Sequence, residues 1–242
     1  MKNDNWTLPP DSLNFERQHV DIWRLSLNLL VDSVKLIEST LSVDEAERAS
    51  RFHFEADKNR FVITHGVLRK ILGRYLHQKP AELTFSINQY GKPASVNSNL
   101  EFNLSHSGDF ALIAVTQGRK IGVDVERIRQ GISAHVIAQQ YFSKAEVAEL
   151  QSLPIEQREA AFFICWTRKE AYIKAHGLGL ALPLESFDVS LTPGQPAILR
   201  ATRPESQEAA RWMLRSLEVD SHYAGAIAVE GADVDFRFFS YH

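Results

Sequence analysis

The 242-residue sequence predicts an α+β protein made of two similar α+β halves, and two observations carry that expectation. Segments with apolar residues near the 3.6-residue helical period are interspersed with short segments that alternate every two residues. The chain also runs the same programme of elements twice. FALIAVTQG at 110–118 lies over YAGAIAVEG at 223–231, with Phe110 on Tyr223, Ala111 on Ala224 and Gly118 on Gly231. FVITHGVLRK at 61–70 lies likewise over FFICWTRKEA at 162–171. The identities are few, but the order of elements agrees, and about a hundred residues is an ordinary unit size. The expected division is 1–118 and 119–242. Two such halves suit a pseudo-twofold arrangement with a ligand site in the cleft between them.

In the first half, IWRLSLNLL (22–30) reads as a strand and VDSVKLIESTLSVDEAERASRF as helical. Ser42 stands three residues before Glu45, the spacing of a helix-starting capping box. In NRFVITHGVLRKILGRYLHQ, residues Phe61, Val62, His65, Leu68, Leu72 and Tyr75 keep the helical period, and Pro80 ends the run. LTFSINQ alternates as a strand, and the turn NQYGKP puts Lys92 on an exposed loop. EFNLSHSGDFALIAVTQG gives two strands around Ser107-Gly108-Asp109. The second half follows suit. IGVDVERI is a strand, and FSKAEVAEL is a short helix with Ser143 and Glu146 in capping-box spacing. PIEQREAAFFICWTRKEAYIKAHGLG is a long helix stopped by glycines. FDVSLTPGQPAILR is a strand, a Pro-Gly turn and a strand, and WMLRSLEVDSHYAGAIAVEG is a closing hairpin.

With 44% hydrophobic and 24% charged residues, the chain has the composition of a globular protein with a real core. A net charge of -3 gives no reason to expect nucleic-acid or membrane binding. Between Arg51 and Lys92, however, eight Lys/Arg face three acids, a local +5 that suits an anionic ligand. A solvated helix face is the plainer alternative. The single Cys165 excludes a disulfide framework or thiolate metal cluster and reads as a small buried hydrophobe. MKNDNWTLPPDS lacks the apolar run of a signal peptide, and FALIAV at 110–115 is too short to span a bilayer. The expectation is a soluble, cytoplasmic protein.

Several residues could carry chemistry. In IGVDVERIR, strand alternation puts Asp124 and Glu126 on one face, with Val123 and Val125 on the other. Two neighbouring carboxylates repel, and a hard cation such as Mg²⁺ would relieve them. A merely polar outer face is the alternative. Trp166, Glu170 and Lys174 stand at i, i+4 and i+8, on one helical stripe, while Arg168 and Lys169 point elsewhere. Alone, Glu170 and Lys174 would be a surface pair worth roughly 0.2–0.5 kcal/mol. Beside the strand, Glu170 becomes a third carboxylate and Lys174 faces a phosphate. Ser105 and His106 are neighbours, and neighbours on a strand face opposite ways, which argues against a nucleophilic dyad. His106 is then structural or an anion contact. Arg60 and Lys92 reach a phosphate or only solvent. The sequence has no GxxxxGK[ST], HExxH or GxSxG, so P-loop, zinc-protease and hydrolase-elbow chemistry are not expected.

GKP at 91–93, FNLSHSG at 102–108, IGVDVE at 121–126 and WTRKEAYIKAHGLGL at 166–180 occur in that order. Together they resemble the signature of the 4′-phosphopantetheinyl transferases, most closely the Sfp-type branch. That branch is similar to a fused dimer of the smaller holo-acyl-carrier-protein synthase. The resemblance runs from about Arg48 through Phe187. It implies Mg²⁺ on Asp124, Glu126 and Glu170, and Lys174 on the pyrophosphate of coenzyme A. It also implies coenzyme contacts from Arg60, Lys92, Ser105 and His106, with Arg48 near another basic position. The implied reaction moves phosphopantetheine from coenzyme A to a serine of an apo acyl or peptidyl carrier protein. 3′,5′-ADP leaves, and Glu170 and Lys174 are the catalytic candidates. The implied protein is a monomer. A non-catalytic coenzyme A or carrier-protein binding module, and a Mg²⁺-dependent nucleotide hydrolase, are the alternatives.

Overall fold

Strand β1 (His19–Ser26) is buried along nearly its whole length because it runs inside a sheet with a partner on each edge. It opens the first half in a computed structural model that describes residues 4–13, 16–29 and 31–242. Leu30, the end of the expected first strand, and the first three residues of the polar N-terminal stretch lie outside the described residues.

The expected repeat is present in the order of elements. After β1 come helices α1 (Val31–Glu38), α2 (Val43–Ser50) and α3 (Glu55–Leu76). The small hairpin of β2 (Phe85–Ile87) and β3 (Pro93–Ser95) precedes the long one of β4 (Leu100–Ser107) and β5 (Phe110–Gln117). The second half has β6 (Ile121–Arg127), α4 (Ala134–Tyr141), α5 (Lys144–Ser152) and α6 (Ile155–His176). Then follow β7 (Phe187–Val189) with β8 (Leu199–Thr202), and β9 (Trp212–Ser216) with β10 (Tyr223–Glu230). Helices α3 and α6 are both 22 residues long. Strands β5 and β10, aligned by sequence, bury the same six central positions. Sequence reading missed three elements, β3, α4 and β11 (Asp235–Tyr241).

Alternation then builds the layers. In the sheet β11-β1-β5-β4, Trp23, Leu25, Ile113 and Val115 pack with α1–α3, while Val20, Ile22, Leu112 and Ala114 face the other way. In the sheet β6-β10-β9, Val123, Val125, Ile227 and Val229 meet that second face. Ala224, Ala226 and Ala228 pack with α6. Helices thus cover the outside of two sheets packed back to back. One strand departs from the expected division at 118/119. β11 pairs in parallel with β1, so residues 235–241 belong to the sheet of the first half.

Both capping boxes form, with Glu45 N donating to Ser42 Oγ at 3.3 Å and Glu146 N to Ser143 Oγ at 3.2 Å. Each box glutamate also reaches inward to a buried cation on the long helix. Arg69 Nε pairs with Glu45, and its Nη1 donates to Pro80 O and Leu83 O, both at 2.9 Å. Lys169 Nζ lies 2.8 Å from Glu146 Oε2 and donates to Leu184 O and Phe187 O, both at 2.7 Å. Buried charges are tolerated where donors and acceptors are this fully matched. Burial alone would raise the Glu45 pKa, but hydrogen bonds from His65 and Arg69 outweigh it and carry it from 4.5 to about 2. A depressed folded-state pKa contributes stability that is present above the unfolded value and lost as pH falls through the folded one. Glu45→Gln is therefore expected to lower the melting temperature at pH 7. It should also flatten the decline of stability between pH 4.5 and about 2, as followed by circular dichroism.

Candidate active site

Helix α6 lies directly on β6 because residue 122 is glycine. A Cβ there would stand 2.1 Å from Ala171 O and 2.3 Å from Ala175 N. This contact brings Glu170 and Lys174, beside those alanines on the helix, over the strand face that carries Asp124 and Glu126. Lys174 Nζ is 2.6 Å from Asp124 Oδ1 and 2.9 Å from Ser105 Oγ. Ser105 Oγ donates to the same Asp124 oxygen at 2.7 Å, and Ser107 Oγ donates to Glu126 Oε2 at 2.8 Å. Asp124 is 3% exposed, and its other oxygen, Oδ2, is buried with no hydrogen-bond partner among the described residues.

The three carboxylates feel one another. Burial raises the pKa of Glu126, and the charge of Asp124 adds to it against the Ser107 hydrogen bond. Burial and then Asp124 raise that of Glu170, with Lys174 opposing. Among the described residues, no three His, Cys, Asp or Glu side chains stand close enough together to hold a metal ion as placed. The donors nonetheless suit a hard divalent cation. They are carboxylate oxygens, they repel, and one buried oxygen lacks a donor. Mg²⁺ takes one or two carboxylates and keeps several waters, so it needs no closed protein cage.

Two cavities open beside strands β4 and β6. One, of about 400 Å³, is lined by Arg48, Phe52, Arg60, Phe61, His65 and His106 among others. The Phe61 and His65 rings stack with centroids 4.1 Å apart, and the Arg48 guanidinium lies 5.1 Å from the Phe61 ring centre. Burial lowers the His106 pKa, and the charges of Lys174, His65 and Arg60 lower it further. His106 thus links the cavity to the acidic cluster. The other cavity, of about 240 Å³, runs from Glu126 to Trp166 along Ile132, Ile137, Phe162 and Phe163.

Residues 30–118 match the family described as 4′-phosphopantetheinyl transferase, N-terminal, and residues 120–228 match the 4′-phosphopantetheinyl transferase superfamily. The chain is 38% identical over 245 residues to the 4′-phosphopantetheinyl transferase HetI of Nostoc sp., and the match covers all of both chains. This chain belongs to the 4′-phosphopantetheinyl transferase superfamily. It is an enzyme of that class. It is also 32% identical over 197 residues to the 4′-phosphopantetheinyl transferase Sfp of Bacillus subtilis, covering 81% of this chain and 84% of that one.

One expectation is corrected in this transferase. Lys92 does not stand on an exposed loop. Its Nζ donates to Ile121 O and Ala175 O, both at 3.1 Å, and burial lowers its pKa. With Asn88 Nδ2 donating to Gly177 O at 2.8 Å, it clasps the last turn of α6, where carbonyls lack helical partners. Ser105 is 6% exposed and is held between Asp124 and Lys174. Part of the +5 stretch is engaged by the protein itself. Arg69 is buried against Glu45, Arg74 bonds Pro10 O and Asp11 O, and Lys58 pairs with Glu38. Arg60 stays at the cavity, with Asp57 at 3.3 Å.

Lys174 reaches the cluster, but its ammonium rests on Asp124 rather than free in the cleft. Arg168 and Lys169 point away from the stripe of Glu170 and Lys174, and both are buried. Arg168 Nη1 donates to Ser190 O at 2.6 Å and its Nη2 to Ser216 Oγ at 2.8 Å. Sequence reading missed Ser107 as a partner of Glu126, and His65 and Phe61 as cavity walls. The serine had a signal, the two-residue spacing of Asn103, Ser105 and Ser107. Phe61 and His65 had none, because their helical spacing matches a core face.

Proposed function

We propose that this transferase moves the 4′-phosphopantetheine group of coenzyme A onto a serine hydroxyl of an apo acyl or peptidyl carrier protein, with Mg²⁺, releasing 3′,5′-ADP. One observation carries the reading. Three carboxylates, one with a buried unpartnered oxygen, are accompanied by a cavity walled by arginines, histidines and aromatic rings, whose His106 feels the charge of Lys174. That pairing suits a magnesium site beside a phosphorylated nucleotide. Asp124, Glu126 and Glu170 would hold the ion. When bound, it supplies neutralisation of the charge that develops on the pyrophosphate.

The chain's own residues do the rest. The serine oxygen bonds to the phosphorus carrying pantetheine, and the bond from that phosphorus to the bridging oxygen breaks. Lys174, held at the cluster by Asp124 and Ser105, donates to the leaving oxygen. Glu170 takes the serine proton. Burial and Asp124 raise its proton affinity in the metal-free protein, and a bound cation would oppose that shift. Arg60 and His106 hold the nucleotide phosphates, with Phe61 and Phe52 beside the base. Lys92 serves this site through its hold on α6. We assign nucleotide binding to residues 1–118 and the metal and catalytic helix to 119–242. The enzyme works as a monomer, because one chain supplies both walls, and it works in the cytoplasm, where its substrates meet. No helix of the described residues is long and apolar enough to cross a membrane.

Mass spectrometry of apo carrier proteins incubated with coenzyme A and Mg²⁺ tests the reading. One phosphopantetheine should be gained per carrier as 3′,5′-ADP accumulates, and no gain across a panel of carriers would sink it. His106 adds a pH test. Its free-protein pKa lies below the usual histidine value, and a bound phosphate favours the protonated ring. Coenzyme A affinity should thus be greatest in acid and fall as pH rises from the free toward the higher bound pKa. Calorimetry should find that dependence flattened in His106→Gln.

A further inference from the structure

Strands β4 and β6 end their respective sheets, in the orders β11-β1-β5-β4 and β6-β10-β9, and no backbone ladder joins them. Side chains of β4 close the gap instead. Asn103 Oδ1 accepts from Val123 N at 2.9 Å, Ser105 Oγ from Val125 N at 3.4 Å, and Ser107 Oγ from Arg127 N at 3.1 Å. The rungs advance two residues at a time on both strands. Side chains at that spacing share one face, and edge N–H groups at that spacing share one edge. The two serine rungs then donate onward, Ser105 to Asp124 and Ser107 to Glu126.

A hydroxyl has one proton to give and two lone pairs to receive. Ser105 spends its proton on Asp124 and receives from both Val125 N and Lys174. Ser107 receives from Arg127 N and gives its proton to Glu126 at 2.8 Å. Its backbone-fixed oxygen therefore settles which Glu126 oxygen is engaged and which is left for a ligand. We propose that Ser107 is a positioning residue, holding Glu126 in the orientation from which its free oxygen meets a divalent cation. This rests on the metal reading of the acidic cluster given above.

The test uses the isosteric pair Ser107→Thr and Ser107→Val, which differ by a hydroxyl against a methyl and both suit a strand. Mn²⁺ serves as the probe, its binding to the full-length protein followed by electron paramagnetic resonance without coenzyme or carrier. Loss of a group that orients a metal ligand typically costs about 10–100-fold in metal affinity. Ser107→Val is expected to bind Mn²⁺ at least about tenfold more weakly than wild type, and Ser107→Thr within about twofold of it. Wild-type affinity in folded Ser107→Val, while Glu170→Gln binds weakly, would overturn the role of Ser107 and leave the metal reading intact. A wild-type protein that binds no Mn²⁺ would overturn both. Should Ser107→Val fail to fold, Ser107→Ala gives the same reading: normal affinity overturns the proposal, and a tenfold loss supports it.

Discussion

Asp124→Asn is expected to lose at least about a hundredfold in turnover while melting within a few degrees of wild type. The substitution keeps the shape of the side chain and its contact with Ser105, but removes the charge that faces Lys174. On the activity side, one carboxylate of the cluster is gone, and Lys174 loses the anchor that holds it across the cleft. A single misplaced transition-state donor costs about 10²–10³ in turnover. On the stability side, opposing effects nearly cancel. An ion pair to a lysine side chain 28% exposed is lost, and so is repulsion with Glu126 and Glu170. At the buried Oδ2 position the charge is removed, while the amide NH₂ placed there needs an acceptor. Steady-state kinetics over a range of Mg²⁺ concentrations, with thermal melts, provide the check. Near-normal turnover in the folded variant would remove Asp124 from the site.

Lys169→Ala should be the most destabilising single change in α6, at about 3–5 kcal/mol, because it leaves an unpaired carboxylate in the core. Glu146 is 1% exposed and Lys169 is fully buried. Without the ammonium, Glu146 keeps its bonds from Ser143 N and Val189 N but has no countercharge. Leu184 O and Phe187 O lose their donor at the same stroke. Replacing both partners by apolar residues of similar volume, as in Lys169→Met with Glu146→Leu, should recover part of the loss. Urea denaturation of the single and double variants measures both. A loss below about 1 kcal/mol in Lys169→Ala would show that the pair contributes no more than a surface one does.

The outcome for charged residues shows which features a one-dimensional pattern can convey. Asp124 and Glu126 share a face because strand alternation is a local rule, and Glu170 and Lys174 share a stripe because helical spacing is another. Both capping boxes, each confined to four residues, were legible for the same reason. Lys92 was not, since its partners Ile121 and Ala175 lie 29 and 83 residues away and only the packed hairpin brings them together. Arg69 and Lys169 look like ordinary wet-face residues until the carbonyls and glutamates that receive them are in place. Strand β11 escaped notice because DFRFFSY is apolar and polar by turns without a clean period, and its partner is at the other end of the chain.

That pairing of β11 with β1 sets the order of events during synthesis. A ribosome delivers residues 19–26 early and their antiparallel partner at 110–117 soon after, but the strand that covers the other edge comes at 235–241. Until then a nascent chain carries an open strand edge, a template for pairing with other chains. Asp21, fully buried in the finished protein, meanwhile lacks Arg237, whose Nε and Nη2 lie 2.6 and 2.7 Å from its two oxygens. A contact spanning 216 residues carries a large loop-closure cost and forms late. The half of the chain that is translated first is consequently the one completed last, and its open edge is where a holdase chaperone or a premature stop would act.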